Sequence, residues 1–224
     1  MLPFTRDEFM SVFAQYHEGT WPAVIVWYIT AVLLLAYQFY QQKTSAQLVL
    51  LYLGLLWSWT GAVYMWGYFS AINPAASYFS VLFLGQGLWL IYESRKRVIV
   101  DLSSITRWGR YVSYFLFFYA LVVYPFIGSF TGHTYPAAPL FGLPCPNTIF
   151  TFAALLLVTD ESGHPVKRLL VIPMLWSVVA TVAAVELGVV QDWMLPVAAL
   201  SAMIILYKRA LRIKYGKTPS LIRV

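Results

Sequence analysis

Arg168–Val189 reads RLLVIPMLWSVVATVAAVELGV. A basic residue opens the stretch, an acid stands near its far end, and nothing between them is charged. At 1.5 Å of helical rise per residue, Arg168 and Glu186 lie about 27 Å apart. That is close to the hydrocarbon thickness of a bilayer, and the run has the roughly 20-residue length of a transmembrane helix. The stretch predicts a membrane span with its basic end on one side and its acidic end on the other.

Working outward, hydropathy predicts six further spans, at about Thr20–Tyr40, Ala46–Phe69, Pro74–Ile91, Arg110–Ile127, Pro146–Val158 and Trp193–Tyr207. The chain is 60% hydrophobic and 11% charged, whereas about a quarter of a soluble domain is charged. The expected fold is therefore an all-α integral membrane protein, a seven-transmembrane-helix bundle forming one polytopic domain over 1–224. Its parts are an outer amphipathic helix (1–19), the seven-span bundle (20–207) and a basic cytoplasmic tail (208–224).

The charges set the orientation. In a seven-span topology every Lys and Arg except Arg6 falls on one side, while Asp7, Glu8, Glu18, Glu186 and Asp192 share the other with Arg6. The positive-inside rule then puts the N-terminus outside and the C-terminus in the cytoplasm. The net charge of +6 is thus a topology signal and not a nucleic-acid footprint. The expected partners are membrane lipid, with anionic inner-leaflet lipid at the basic tail.

The N-terminal residues lack the basic and apolar regions of a signal peptide and read as a helix. Thr5 as N-cap with Glu8 three positions on makes a capping box, and Phe4 can staple onto Phe9. Phe9, Val12, Phe13 and Tyr16 recur at i, i+3, i+4 and i+7, giving one apolar face. The segment is expected to lie at the outer interface or, because its polar face is acidic, across the mouth of the bundle. Three further helix starts are expected on the outer side, at Asn73-Pro74, Cys145-Pro146 and Asp192-Trp193.

Between spans four and five runs TGHTYPAAPLFGLPCPNTIF, Thr131–Phe150, without a charge. Prolines 136, 139, 144 and 146 fix φ and lower the entropy lost on ordering. The loop reads as a re-entrant plug or as a rigid connector. Cys145, at the expected start of span five, would meet free N–H groups and a helix dipole, which favour a thiolate. Cys145, His133, Met65 and His17 are the candidate ligands of a soft metal ion such as Cu(I), with Glu18, Glu186 and Asp192 nearby. A reactive thiol and a buried structural cysteine are the alternatives, the last being the commonest state of a free cysteine.

Candidate ligand-binding residues are His133, Tyr135, Cys145, Asn147, Thr148, Trp57, Gln86 and Glu186. Gln86, between two glycines, is the most conspicuous polar group within a span, although such groups mostly hold helices together. Trp57 serves a pocket or the core. Several classes are excluded. A single cysteine allows no intrachain disulfide, and three histidines without i,i+3 or i,i+4 spacing form no zinc helix. No mid-span acid suits an ion-coupled carrier, and span seven has no lysine for a retinal Schiff base.

LPFTRDEF at the N-terminus, INPAA at Ile72–Ala76 and above all GHTYPAAPLFGLPCPNTIFT resemble a bacterial family of small polytopic inner-membrane proteins known only as a domain of unknown function. The Gly-His-x-Tyr-Pro…Pro-Cys-Pro-x-Thr-Ile-Phe pattern within Gly132–Thr151 is the most specific part. The resemblance implies a multi-pass protein of the bacterial inner membrane. In that family a histidine often follows the tyrosine at the end of span two; here Met65 follows Tyr64, which weakens a histidine-based metal site. The family supplies no activity. The leading functional expectation is outward-facing binding or transport of a small molecule or ion. The alternatives are a structural or assembly subunit with membrane-protein partners, and a thiol-dependent membrane enzyme.

Overall fold

The computed structural model describes residues 2–41, 43–102, 105–131 and 134–215. Helix α1 spans Arg6–Tyr40 without a break, so the outer helix and the first span, expected as separate units on either side of residue 19, are one rod. Thr20 donates to the Tyr16 carbonyl at 2.6 Å inside this helix. Gly19 serves close approach rather than termination, since a Cβ there would run into the Tyr68 hydroxyl and sit 3.4 Å from its Cζ. Pro22 removes one backbone hydrogen bond from the ladder, and it does so on an exposed face. At 1.5 Å per residue α1 is about 52 Å long, more than a hydrocarbon core of about 30 Å requires. Its first turns are capped as expected: Thr5 Oγ1 and Glu8 form a reciprocal capping box, and the Phe4 and Phe9 rings stack at 5.7 Å.

Six more helical rods follow among the described residues. Helix α2 (Gln47–Trp59) continues through a π-helical segment (Thr60–Tyr68) into a 3₁₀ turn (Phe69–Ala71). After α3 (Ala76–Ser94), α4 (Arg107–Phe118) runs through a second π segment (Tyr119–Val123) into α5 (Tyr124–Phe130), making one rod. Then come α6 (Pro144–Leu157), α7 (Val171–Leu187) and α8 (Met194–Lys214), the last two each preceded by a 3₁₀ turn.

The seven rods fall where the seven spans were expected, but five are long and apolar enough to cross a membrane. The exceptions are α3, diluted by Gln86, Glu93 and three serines, and α6, which has 14 residues. The reason for the short α6 is its position. Nearly all its side chains are buried, sheathed by α2, α4, α7 and α8, so protein rather than lipid surrounds it.

The connections alternate between two ends. At one, β1 (Lys43–Ser45), β2 (Val98–Asp101) and β3 (Val158–Asp160) form an antiparallel sheet in the order β1-β2-β3, with Thr44 opposite Val100 and Ile99 opposite Thr159. Val98 and Val100 point inward and are buried while Ile99 is half-buried, the alternation of a one-sided strand. No strand was expected from the sequence. The other end gathers the N-terminal segment, the turn after α2, the Pro-rich loop and the turn between α7 and α8. There Phe4 meets Phe69 edge-on at 5.4 Å, and the Leu2 N–H donates to Glu186 Oε2 at 3.1 Å. The Tyr119 hydroxyl donates to the Gln191 carbonyl at 2.9 Å.

The Pro-rich loop enters the bundle at this end. Ala138, Phe141 and Leu143 are buried. Gly142, at φ 107°, takes the left-handed conformation glycine permits. Its N–H donates to Asn147 Oδ1 at 3.0 Å, and its carbonyl accepts from Thr60 Oγ1 at 3.3 Å. Helix α6 starts at Pro144, so Cys145 is its second residue and not its N-cap. The other starts shift similarly. Asn73 Oδ1 accepts from the Ala75 N–H at 3.1 Å ahead of α3. Asp192 lies in the turn before α8, which has no side-chain cap.

Candidate functional site

Local irregularity shapes the N-terminal end. Single π turns inside α-helices recur at functional sites because the extra residue re-aims neighbouring side chains. Here one π segment carries Tyr64 and the other delivers Tyr124 at its exit, and both are buried. The start of α6 adds Cys145, the turn before α8 adds Asp192, and α7 adds Trp176. These five residues, with the N-terminal segment, line a cavity of about 430 Å³, within the 300–1,000 Å³ usual for small-molecule sites.

The cavity wall is largely aromatic. Phe4, Phe9 and Phe13 come from the N-terminal segment and α1, Phe69 from the turn after α2, and Phe79 from α3. The Glu186 bond to Leu2 holds the N-terminal segment against α7. On the flank of α7, Val178 and Val182 line the cavity and are also 67% and 55% exposed, so it opens sideways on an apolar surface.

Apart from Asn73, whose Oδ1 is taken by the Ala75 N–H, the polar groups gather at one carboxyl. Asp192 is 5% exposed and accepts a hydrogen bond from the Tyr124 hydroxyl. The Cys145 thiol is within hydrogen-bonding reach of the same carboxyl. Trp176 Nε1 lies beside Cys145 but has no hydrogen-bond partner of good geometry. Among the described residues lining this cavity there is no Lys, Arg or His. Asp192 therefore sits in an apolar chamber with neutral partners.

The residues expected to bind a ligand are distributed differently. Cys145 lines the large cavity. Glu186 anchors the N-terminal segment. Tyr135 and His17 line a separate cavity of about 200 Å³. There His17 Nδ1 is 2.7 Å from the Pro136 carbonyl, and its Nε2 has no partner among the described residues. The rest serve packing. Trp57 donates to Thr151 Oγ1 at 2.8 Å and packs, tilted by 32°, against the Phe83 ring. Gln86 donates to the Leu169 carbonyl at 2.9 Å. Asn147 ties Gly142 to Thr60, and Thr148 bonds back to the Pro144 carbonyl at 2.7 Å. Each is fully buried, and none lines either cavity.

The described members of the expected soft-metal set stand apart. Cys145 faces one cavity, His17 the other, and Met65 is buried in the core. His133 lies outside the described residues. Among the described residues no group of three His, Cys, Asp or Glu comes together. A helix N-terminus alone brings Cys145 only backbone donors, and the loop that carries it spends its polar groups on Gly142 and Asn147 instead.

Tyr64, Tyr124 and Trp176 were not singled out as site residues. Sequence offers one faint signal for the two tyrosines, each an aromatic with a polar edge within about two turns of a span's outer end, and none for Trp176, which lies deep in its span. The π segments that aim the two tyrosines leave no such trace.

No curated protein and no solved structure matches the chain. A family model does, over residues 6–217, and the chain belongs to that family, DUF6064, a family of unknown function.

Proposed function

We propose that this is a seven-span protein of the bacterial inner membrane, N-terminus outside, whose outer-end cavity binds a small and mostly apolar molecule. The cavity of about 430 Å³, aromatic-walled and closed by the N-terminal segment, is the observation that carries the reading. A void of this size with a buried carboxyl, phenol and indole at one point has the make-up of a ligand site, an apolar body with few convergent polar groups. Packed interiors keep few voids larger than a water molecule.

The orientation is supported by the basic residues. Lys96, Arg97, Lys167, Arg168 and Arg209 belong to the sheet end, which as the cytoplasmic end satisfies the positive-inside rule. Helix α6 completes one span inside a ring of longer rods, where protein satisfies what lipid would otherwise demand, and α3, packed on α2 with Tyr78, Val81 and Leu88 facing outward, completes the other. The basic tail rests on anionic inner-leaflet lipid.

Gentle extraction followed by native mass spectrometry tests the binding. The expected result is a retained small molecule that is lost in Ala183→Phe, which places a ring in the cavity. A chain that carries only partner subunits, with no small molecule, would support the assembly-subunit reading and overturn this one. Cys145 gives a local check, because entry is through the apolar flank. A membrane-permeant maleimide should label it at least tenfold faster than an impermeant one added from outside.

A further inference from the structure

The cavity specifies one feature of its guest. From the buried Asp192 carboxyl inside an aromatic chamber with no basic residue among its described lining, we infer that the ligand is a lipophilic amine, its ammonium paired with Asp192 and its body held by the aromatic wall. This rests on the binding proposed above and names the class of ligand.

Three observations carry it. First, Asp192 is 5% exposed, and Tyr124 and Cys145, its hydrogen-bond neighbours, are neutral. A buried carboxylate without a counter-ion is costly, so such a group is held neutral until a cation pairs with it. Among the described residues the cavity wall supplies no cation, so the counter-ion this site calls for comes with the guest.

Second, the wall suits a cation. Ammonium groups are attracted to the faces of Trp, Tyr and Phe, more strongly where water is excluded. Trp176 lines the chamber with Asp192, and Tyr64 and Tyr124 complete that side. The remaining surface, from Phe4, Phe9 and Phe13, is apolar and fits a hydrocarbon or aryl body. Third, the opening lies between exposed valines of α7. A guest entering there comes from the bilayer, so it is amphiphilic rather than a hydrated ion. A free metal cation is disfavoured for the same reason, and no second carboxylate, thiol or imidazole joins Asp192 and Cys145 in a described cluster.

The test compares three probes with one body: 4-phenylbutylamine, 4-phenylbutanol and 4-phenylbutyrate. Titration calorimetry is run on the full chain in phosphatidylcholine nanodiscs, with empty discs subtracted. The amine should bind at least tenfold more tightly than the alcohol, and the carboxylate most weakly. Asp192→Asn should collapse the amine-to-alcohol ratio to within about twofold, and Asp192→Glu should restore the preference. Equal binding of amine and alcohol to the parent chain would overturn the inference while leaving the binding site intact. So would an amine preference that survives Asp192→Asn. Tighter binding of the butyrate would do the same, since it would mean a neutral Asp192 donating to an acceptor. Failure of all three probes to bind would instead count against the cavity as a site for small apolar molecules. If Asp192→Asn does not fold, the ranking on the parent chain decides by itself.

Discussion

The two ends of the bundle treat a buried carboxylate in opposite ways. At the sheet end, the Glu93 side chain is 2% exposed and receives Arg168 Nη2 at 2.6 Å and Lys96 Nζ at 2.8 Å. It ties α3 to the segment that leads into α7. At the N-terminal end, Asp192 is just as hidden and meets a phenol and a thiol beside an open cavity. The first arrangement is what a stable fold does with a charge. The second forgoes that compensation, and sites that forgo stability are where function resides.

Packing near the sheet half should give the largest effect of any single change. The α2 and α3 backbones touch at Gly54 and Gly87. A Cβ on Gly87 would sit 2.7 Å from the Gly54 carbonyl oxygen and 2.8 Å from the Ser58 N, and would run into Ser58 Oγ. Backbone cannot yield as a side chain can, so Gly87→Val should cost about 3 kcal/mol. Reversible unfolding in mixed micelles would read this, and an unchanged midpoint would mean the helices are not so close. The Glu93 pairing comes next. Glu93→Gln leaves Arg168 and Lys96 without their acid, but both are about half exposed and regain water. The loss should therefore be about 2 kcal/mol, below the 3–5 of a fully buried pair, and smaller at high salt.

The same contrast explains what could be read from the sequence. Thr5, Glu8, Phe4 and Phe9 were legible because a capping box and a staple involve residues within one turn. The two-ended distribution of loops was legible because basic residues mark it directly. The sheet was not, for its strands are three or four residues long and their pairing joins segments more than 50 residues apart. Nor was the short α6, whose length depends on neighbours that sheath it. Cys145 stands near the expected helix end but two positions off, because the Pro144-x-Pro146 pair offers two possible first turns. Its main companion, Asp192, stood among several acids of the same side with nothing to single it out. The cavity needed tertiary structure: its aromatic wall comes from the N-terminal segment and five different rods or turns.

A smaller effect belongs to the N-terminal cap. Thr5→Ala removes the side-chain half of the capping box, with Glu8 Oε2 still 2.7 Å from the Thr5 backbone N. It should cost about 1 kcal/mol, seen as faster amide exchange confined to the first turns of α1. Protection unchanged over Arg6–Phe9 would show that the aromatic contacts of Phe4 and Phe9, not the cap, hold the wall of the cavity.

The smallest predicted change in stability is the most informative one. Asp192→Asn retains an acceptor for the Tyr124 hydroxyl and removes a carboxyl whose ionisation no cation of the described cavity wall compensates. Measured beside Glu93→Gln in the same nanodiscs, without added ligand, it should leave the unfolding midpoint of the parent chain unchanged or raise it, while Glu93→Gln lowers it. A fall for Asp192→Asn as large as that for Glu93→Gln would contradict the account, making Asp192 a structural group and the cavity beside it a packing defect.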